Sequence, residues 1–543
     1  MKFKHKLLTI IALGVSLSSC SFLDRTPLDQ ASESTFWKTE ADAEKGVNAL
    51  YPLLPNDRDF WRDCQSDNTL MTNSWGENGM GYISQGIHNP STGYINEEWA
   101  YGAIYRILYF IDKLKDMEFN PDKKKQFEGE ARFMLALKYF RMTRHFGDIP
   151  LIKERPIELE NSQLPRSSKQ DVLNYAIENI NKAIEYLPAT YPAEQSGRIT
   201  KAAALTLKAD MYLDMASYKQ FHNNQNASEL WAVAAETAQQ VLDLNIYKLE
   251  NEYSTIFLKE NNNISKEVIL ARQYLENEIT HMLPVLSSPS GTGTTGEGWA
   301  SFCPTRDLVD SYECTDGKSI YESELYDPNN PWKNRDHRLT LSIMVPGLDI
   351  LRPNGKYEPY MPHPSFNKPE QMNKEGGGIT GYMIMKYNDM TLKKPYSCWA
   401  NFSLYRYAEV LLILAEALTE TNPSDPRIAD AINQVRSRAG LPNINALLGD
   451  KEALRSCVRR ERRHEFTFEH KRYFDILRWK IAENVLSKPG YGINKDVNLP
   501  IGDYTADKFV GQQRVFEVSK HYLWPIPQNA IDKNPNLTQN PGW

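Results

Sequence analysis

The stretch from Tyr405 to Trp479 constrains the fold of this chain most. It begins with YRYAEVLLILAEAL, in which apolar residues occupy nearly every side of a helix. A helix that is apolar all round is either buried in a large core or spans a membrane. Because Arg406, Glu409 and Glu416 interrupt the run, and because it is shorter than the ~20 apolar residues of a span, it is predicted to be a buried core helix.

Turn and capping residues divide the rest of this stretch into further helices. The sequence NPSDP at 422–426 predicts a turn that also caps the next helix, 427–439. That helix ends at Gly-Leu-Pro, 440–442, the usual glycine-then-proline exit. Two more helical segments, 451–469 and 472–484, follow. The stretch therefore predicts antiparallel helical hairpins.

Helical periodicity also dominates residues 39–244, apart from one stretch of loops, and it is lost again after about residue 264. Further helices are predicted to start at Thr39 and to cover 99–117, 120–152, 169–187, 200–218 and 228–244. Residues 52–96 lack periodicity but are rich in aromatic residues, which predicts ordered loops. Residues 264–401 combine short β-like pieces at 267–271 and 382–387 with long loops. The predicted fold is therefore mainly α. It consists of helical hairpins or an α-solenoid, with long loops and short β pieces.

The N-terminus predicts the cellular compartment. Basic residues at 2–6 precede an apolar run, 7–17, and the sequence Leu-Ser-Ser-Cys ends at Cys20. This arrangement is typical of a secretory signal over residues 1–19 and not of a membrane span. Its end resembles the bacterial lipobox, in which the cysteine, here Cys20, becomes the acylated first residue; the alternative is an ordinary signal with an incidental cysteine. Residues 20–35 are polar and are predicted to be a lipidated tether.

Charge and motifs argue against several function classes. The 63 basic and 69 acidic residues give a net charge of −6 and no basic footprint for nucleic acid. The arginine-rich run 455–463 is interleaved with glutamates, so ion pairing is its simplest explanation. The motifs HExxH, GxSxG, P-loop and Rossmann fingerprint are missing, and no cofactor, metal or catalysis is predicted. After Cys20, five cysteines remain without a CxxC pair; Cys303 and Cys314 could bridge, but buried free thiols are favoured.

Several motifs along the chain resemble those of one family. They are FWKTEADA at 36–43, FEGEARFMLALKYFRMTRHFGDIPLI at 127–152, RYAEVLLILAEAL from Arg406, RRERRHEFTFEHKRYFDILRW from Arg459, and HYLWPIPQNAIDKNPNLTQNPGW at 521–543. Together they resemble the SusD/RagB family, the surface glycan-binding lipoproteins of gut Bacteroidetes. Leu135 stands where that family usually has arginine.

The resemblance implies a fold and a function. The fold would be a single SusD-like body, 36–543, whose scaffold consists of tetratricopeptide-like helical hairpins. Its parts would be an N-terminal part, 36–260, a loop-rich insertion, 261–402, and a C-terminal part, 403–543. The protein would be a non-catalytic outer-membrane lipoprotein, exposed to the cell exterior, that passes an oligosaccharide to a SusC-like TonB-dependent transporter.

Aromatic residues in the long loops are the candidate ligand-binding residues. A sugar ring has apolar faces and a polar rim, so a glycan site needs exposed flat aromatics with amide or guanidinium groups nearby. The starch-binding member of the family has a W-x-x-N sequence and a Gly/Thr-rich stretch ending in tryptophan, which correspond here to Trp75 with Asn78 and to Trp299. Further candidates are Trp61, Tyr82 and Phe302. For each residue the alternative is packing of its loop onto the scaffold.

Two other function classes stay open. The RagB branch of the family handles peptides, which would need charged and backbone-pairing groups more than stacked tryptophans. A surface glycoside hydrolase would need a carboxylate pair, and 69 acidic residues make some pair inevitable without placing it.

Overall fold

The structure is a computed structural model that describes residues 36–72, 79–156, 158, 161–493 and 509–543. The predicted signal sequence, 1–19, and the predicted tether, 20–35 with Cys20, lie outside the described residues. Trp75 and Asn78 lie outside them as well.

Helices form most of the regular structure. In chain order they are α1 (Glu40–Asn48), α2 (Arg58–Trp61), α3 (Tyr82–Gln85), α4 (Gly93–Glu98), α5 (Tyr101–Lys115), α6 (Pro121–Phe146), α7 (Lys169–Tyr186), α8 (Lys201–Ser217), α9 (Ser228–Asp243), α10 (Leu283–Ser287), α11 (Arg306–Ser311), α12 (Arg338–Ser342), α13 (Tyr407–Thr421), α14 (Pro426–Arg438), α15 (Lys451–Glu465), α16 (Arg472–Arg478), α17 (Ala482–Val485) and α18 (Gln528–Lys533). The mainly α fold class is thereby confirmed. The predicted loops at 52–96 contain the short helices α2 to α4 and one short strand.

Strands are short and pair only in twos among the described residues. They are β1 (Thr69–Met71), β2 (Val268–Arg272), β3 (Phe302–Pro304), β4 (Ile343–Met344), β5 (Asp349–Leu351), β6 (Tyr357–Pro359), β7 (Met383–Ile384), β8 (Phe402–Arg406), β9 (Gly490–Gly492) and β10 (Phe509–Gln512). The antiparallel pairs are β1 with β3, β2 with β8, β4 with β7, β5 with β6 and β9 with β10.

Capping residues fix where the long helices begin. Thr39 and Asp42 form a reciprocal capping box at the start of α1. The Asn120 side chain accepts hydrogen bonds from the first turn of α6, where Pro121 occupies the first position. Asp425 caps α14 in the same way. The predicted starts of these helices are therefore confirmed to within one residue.

The hairpins pack in sequence, each helix on the next, and the last of the first series contacts the buried helix α13. Helix α5 packs on α6, α6 on α7, α7 on α8 and α8 on α9. Helix α13 contacts α9, α14 and α15, and every residue from Ala408 to Glu420 is buried. The prediction of a buried core helix is confirmed. Within the described part of the chain, no helix combines the length and apolar character needed to cross a bilayer.

The end of α15 differs from the predicted helix 451–469. The helix stops at Glu465, and Phe468 and His470 adopt positive φ angles of 63° and 56°. The carbonyl of Glu465 accepts hydrogen bonds from Arg406 Nη2 (3.1 Å) and the Tyr253 hydroxyl (2.8 Å) in place of a helical N–H. Side chains from other segments thus end the helix, and local sequence does not reveal them.

Arg406 is the centre of a buried ionic network. Its guanidinium donates to Glu267 (2.5 Å), Glu465 (2.9 Å) and Glu469 (2.8 Å). Lys386 Nζ donates to the same Glu469 at 2.9 Å. Burial alone would raise the pKa of Glu465, but Arg438, Arg406 and Arg338 hold it below its ordinary value. The network ties β8 and α15 to Glu267 and to Lys386, which precede β8 in the chain.

The arginine-rich run forms ion pairs, as predicted, but mostly with other segments. Arg455 pairs with Glu420 at 2.6 Å and Arg460 pairs with Glu313 at 2.8 Å. Arg462 pairs with Asp475 at 3.0 Å. The run is therefore a structural element of the core.

Candidate ligand-binding site

The pairing of β1 with β3 brings the two candidate loop segments to one place. Met71 lies opposite Phe302 in the antiparallel register. One residue further, Thr72 donates its N–H to the Ser301 carbonyl (2.9 Å) and its hydroxyl to the Ala300 carbonyl (2.6 Å). The chain that leads into residues 73–78 is thereby fixed beside the residues that follow Trp299.

The Gly/Thr-rich stretch that ends in Trp299 is an ordered loop. Backbone hydrogen bonds of 2.8 Å join residues 299–301 to residues 285–288. Gly293 donates to the Leu351 carbonyl at 2.7 Å, and Thr294 donates to the Met390 carbonyl at 2.9 Å. These contacts to the β5–β6 hairpin and to the segment after β7 hold the loop in one position, which distinguishes it from a flexible linker.

Trp299 forms an aromatic corner with Tyr396. The ring centroids are 5.9 Å apart at an interplanar angle of 60°. Trp299 is half-buried, whereas Tyr396 is 44% exposed. The Tyr396 hydroxyl donates to a carboxylate oxygen of Glu297 at 3.4 Å. We call Trp299, Tyr396 and Glu297 the aromatic corner.

The backbone is strained on both sides of the aromatic corner. Ala300 has a φ of 47° and Tyr396 a φ of 62°, in the left-handed region that residues with a Cβ rarely adopt. Such strain is found preferentially at functional sites, where surrounding contacts compensate for it. Desolvation and the Glu297 carboxylate both raise the pKa of Tyr396, so its hydroxyl remains a donor at neutral pH.

Tyr396 was not predicted from the sequence. It follows the exposed pair Lys393 and Lys394 in a loop where neither periodicity nor a motif singles it out. Its position depends on the loop fold that brings it to Trp299. An aromatic residue after proline in a long loop is the only local signal.

Two of the predicted site residues belong to the core. Trp61 is 6% exposed and Phe302 is 2% exposed, and their rings stack with centroids 6.1 Å apart. Phe302 is the first residue of β3 and Trp61 is the last residue of α2. Their stacked rings therefore join these two elements. The structure corrects the expectation that these rings bind ligand: they pack the loops onto the scaffold.

Tyr82 stands at the other side of the undescribed segment. It is half-buried at the start of α3, and Gly79 packs against its ring, where an added Cβ would lie 2.8 Å from Cδ2. Because Tyr82 is only half-buried, part of its side chain remains accessible to solvent. Trp75 and Asn78 lie outside the described residues, so their positions remain predictions.

Two buried aspartates with opposite environments precede β1. Burial raises the pKa of Asp63 to about 7, although hydrogen bonds from Asn68 and Thr69, both 3.3 Å, oppose the shift. Burial would also raise the pKa of Asp67, but Arg463 (3.0 Å) and Arg472 (2.7 Å) outweigh it and lower that pKa. The segment that supports β1 thus contains one ion-paired carboxylate, Asp67, and one, Asp63, that forms no ion pair with any described residue.

Comparison with known proteins identifies the family. A model of the SusD family matches residues 266–543, and a model described as "Starch-binding associating with outer membrane" matches residues 21–213. The first match covers more than half of the chain, and the chain belongs to the SusD/RagB family. These matches support carbohydrate binding and association with the outer membrane.

Relatives and solved structures agree over nearly the whole chain. SusD-like protein P38 of Formosa agariphila is 24% identical over 99% of both chains. The starch-binding protein SusD of Bacteroides thetaiotaomicron is 24% identical over 100% of this chain and 98% of its own length. A SusD-like carbohydrate binding protein of Bacteroides fragilis has a TM-score of 0.80 at 27% identity, covering 93% of this chain and 100% of that one. A laminarin binding SusD-like protein shares the fold, with a TM-score of 0.68 at 21% identity over 93% of this chain and 100% of that one.

Proposed function

We propose that this protein captures an oligosaccharide at the aromatic corner and delivers it, unmodified, to a SusC-like TonB-dependent transporter. The observation that supports the site most is the half-exposed pair Trp299 and Tyr396 on two ordered loops, with a centroid distance of 5.9 Å. Membership of a carbohydrate-binding family supports the ligand class.

The chemistry of the aromatic corner suits a sugar. The apolar C–H faces of a pyranose pack against the rings of Trp299 and Tyr396. The Glu297 carboxylate accepts hydrogen bonds from ring hydroxyls. Because Glu297 is already held by Tyr396, less side-chain freedom is lost when ligand binds.

Residues on the neighbouring segment would extend the site. Trp75 and Asn78 follow Thr72, whose hydrogen bonds to residues 300 and 301 fix the start of their segment beside Trp299. We include them and Tyr82 in the proposed site, as a further stacking surface and an amide for the hydroxyls.

The membrane arrangement is part of the same proposal. Acylation at Cys20 would anchor the protein after removal of residues 1–19, and residues 20–35 would act as a tether. Stable anchoring takes two acyl chains or equivalent signals, each buried CH₂ contributing roughly 0.8 kcal/mol. The body, 36–543, would then face the cell exterior, above the transporter.

Calorimetry on the full-length protein tests this function. The panel contains maltooligosaccharides, laminarin oligosaccharides and other host and plant glycans, in a detergent without a sugar headgroup. Trp299→Ala and Tyr396→Ala are compared with Tyr321→Ala, which removes a 78% exposed tyrosine whose charged neighbours include Asp310 and Arg306 and no member of the aromatic corner. We expect binding of one glycan class, weakened roughly tenfold or more by the corner substitutions, since a loss of about 1.4 kcal/mol is tenfold, and unchanged by Tyr321→Ala.

Three outcomes would contradict parts of the proposal. If the glycan binds the corner variants unchanged, the function stands and the site is elsewhere. If only peptides bind, the protein belongs with the RagB type. If incubation releases new reducing ends, and one carboxylate substitution abolishes this release, the protein is a glycoside hydrolase.

A further inference from the structure

A cavity of about 380 Å³ is lined by residues outside the aromatic corner. It is bounded by the loop that joins α7 to α8, by residues 261–266, by β2 and by Asn401. None of its lining residues belongs to the aromatic corner. Its volume falls within the roughly 300–1,000 Å³ that is typical of small-molecule sites.

Side-chain amides on one wall of this cavity form a fixed network. Asn401 Nδ2 donates to Gln273 Oε1 (3.0 Å) and to Asn263 Oδ1 (3.3 Å). The Asn401 backbone N–H donates to Asn262 Oδ1 at 2.7 Å, and its own Oδ1 accepts from the Tyr274 backbone N–H at 2.8 Å. Each amide is thereby oriented before any ligand binds.

The backbone is shaped to hold this wall in place. Asn263 has a φ of 62°, which asparagine tolerates better than other residues with a side chain. Across the cavity, Gly197 has a φ of 88°, and an added Cβ would lie 2.6 Å from Gln273 Cδ. Glycine at this position lets the α7–α8 loop close against the amide network.

Several polar groups in the cavity are available to a ligand. Among the described residues, no protein group pairs with the side chains of Gln195 and Ser196 or with Asn263 Nδ2. Planar amides and hydroxyls complement the alternating donors and acceptors of a sugar rim. Ile256 and Val268 add apolar surface for the sugar's C–H faces.

The charges of the cavity favour a neutral ligand. Of the described residues that line it, none is an aspartate or glutamate. The Arg198 guanidinium is neutralised by Glu44 (2.8 Å) and Glu130 (2.9 Å). Lys266 is exposed and adds a single ammonium group.

We propose that this cavity is a secondary binding site for a neutral saccharide, which the amide wall formed by Asn263, Gln273 and Asn401 recognises through the sugar hydroxyls. The proposal rests on the carbohydrate-binding function proposed above but uses separate residues. A second site would let one protein hold a long glycan at two points and raise its avidity without new contacts at the first.

Saturation-transfer difference NMR tests the cavity. The probes are maltotriose, laminaritriose and cellotriose, added to the full-length protein in a detergent without a sugar headgroup. The background is Trp299→Ala with Tyr396→Ala, which removes the aromatic corner. Asn263→Gly, which keeps the left-handed backbone, and Gln273→Ala are then added together and also singly.

The matched control is Asn224→Gly. Asn224 has a φ of 52°, is exposed and lies outside the cavity. We expect the background variant to retain a saturation-transfer signal for at least one trisaccharide. Adding Asn263→Gly and Gln273→Ala should lower that signal at least fivefold, whereas adding Asn224→Gly should leave it unchanged. Circular dichroism verifies that each variant is folded.

Failure of this inference is distinct from failure of the proposed function. If the background alone abolishes the signal of every probe, the aromatic corner stands as the site and the secondary site is refuted. A signal that persists after Asn263→Gly and Gln273→Ala also refutes it. If loss of the corner changes nothing and loss of the amide wall abolishes binding, the cavity is the principal site and the corner is refuted.

Discussion

Replacing Asp63 with asparagine is expected to stabilise the protein increasingly as the pH rises. Asp63 is 1% exposed, and burial raises its pKa from 3.8 to about 7. Its Oδ2 accepts hydrogen bonds from Asn68, Thr69 and the Phe468 N–H, whereas Oδ1 has no hydrogen-bond partner within the described ranges. Asparagine keeps an acceptor oxygen of the same shape and cannot ionise.

The sign follows from proton linkage. Between pH 4 and pH 7 the folded state keeps the Asp63 proton that the unfolded chain has lost, so the free energy of unfolding falls as the pH rises. A shift of about three pKa units corresponds to a total of about 4 kcal/mol, of which about 2 to 3 kcal/mol is lost between pH 5 and pH 8. Asp63→Asn removes this slope, whatever constant difference it adds.

Urea unfolding followed by circular dichroism at pH 5, 6, 7 and 8 measures the effect. The difference between variant and wild type cancels the titration of all other groups, provided that they are unchanged. Asp67→Asn is the matched control with the opposite sign, because it leaves Arg463 and Arg472 without their carboxylate and destabilises by about 3 to 5 kcal/mol. A pH-independent difference for Asp63→Asn would refute the reasoning.

Two further predictions concern the core. Arg406→Met removes the cation that three buried glutamates share and is expected to destabilise the protein by about 3 to 5 kcal/mol. Arg427→Met breaks an ion pair whose arginine side chain is 48% exposed and should cost under about 1 kcal/mol in the same urea titration. Equal effects would contradict this prediction. The five cysteines after Cys20 are buried, and burial raises the pKa of Cys398 and Cys457 to about 12. A thiol reagent should therefore label these cysteines only after unfolding. Native labelling, located by mass spectrometry, would contradict the burial.

The helical scaffold could be predicted because its signals are local. Periodicity located α7, α8 and α9 to within about one residue at each end, and caps such as Asp425 fixed the starts. The buried character of α13 followed from its composition alone. The early end of α15 could not be predicted, because Arg406 and Tyr253 approach it from distant parts of the chain.

The site was harder to predict than the scaffold. Trp61, Phe302 and Trp299 all lie in aperiodic, aromatic-rich sequence, and only tertiary packing decides that the first two cover each other while the third stays half-exposed. Tyr396 reaches Trp299 through a long loop whose course depends on backbone hydrogen bonds. Sequence therefore points to aromatic residues in the long loops but cannot decide which of them stay accessible.

A structure of the protein with a bound oligosaccharide from the glycan panel tests the central claim most directly. We expect a sugar ring within about 4 Å of the ring of Trp299 or Tyr396, with a hydroxyl hydrogen-bonded to Glu297. A ligand bound elsewhere, with both rings of the aromatic corner uncovered, would contradict it.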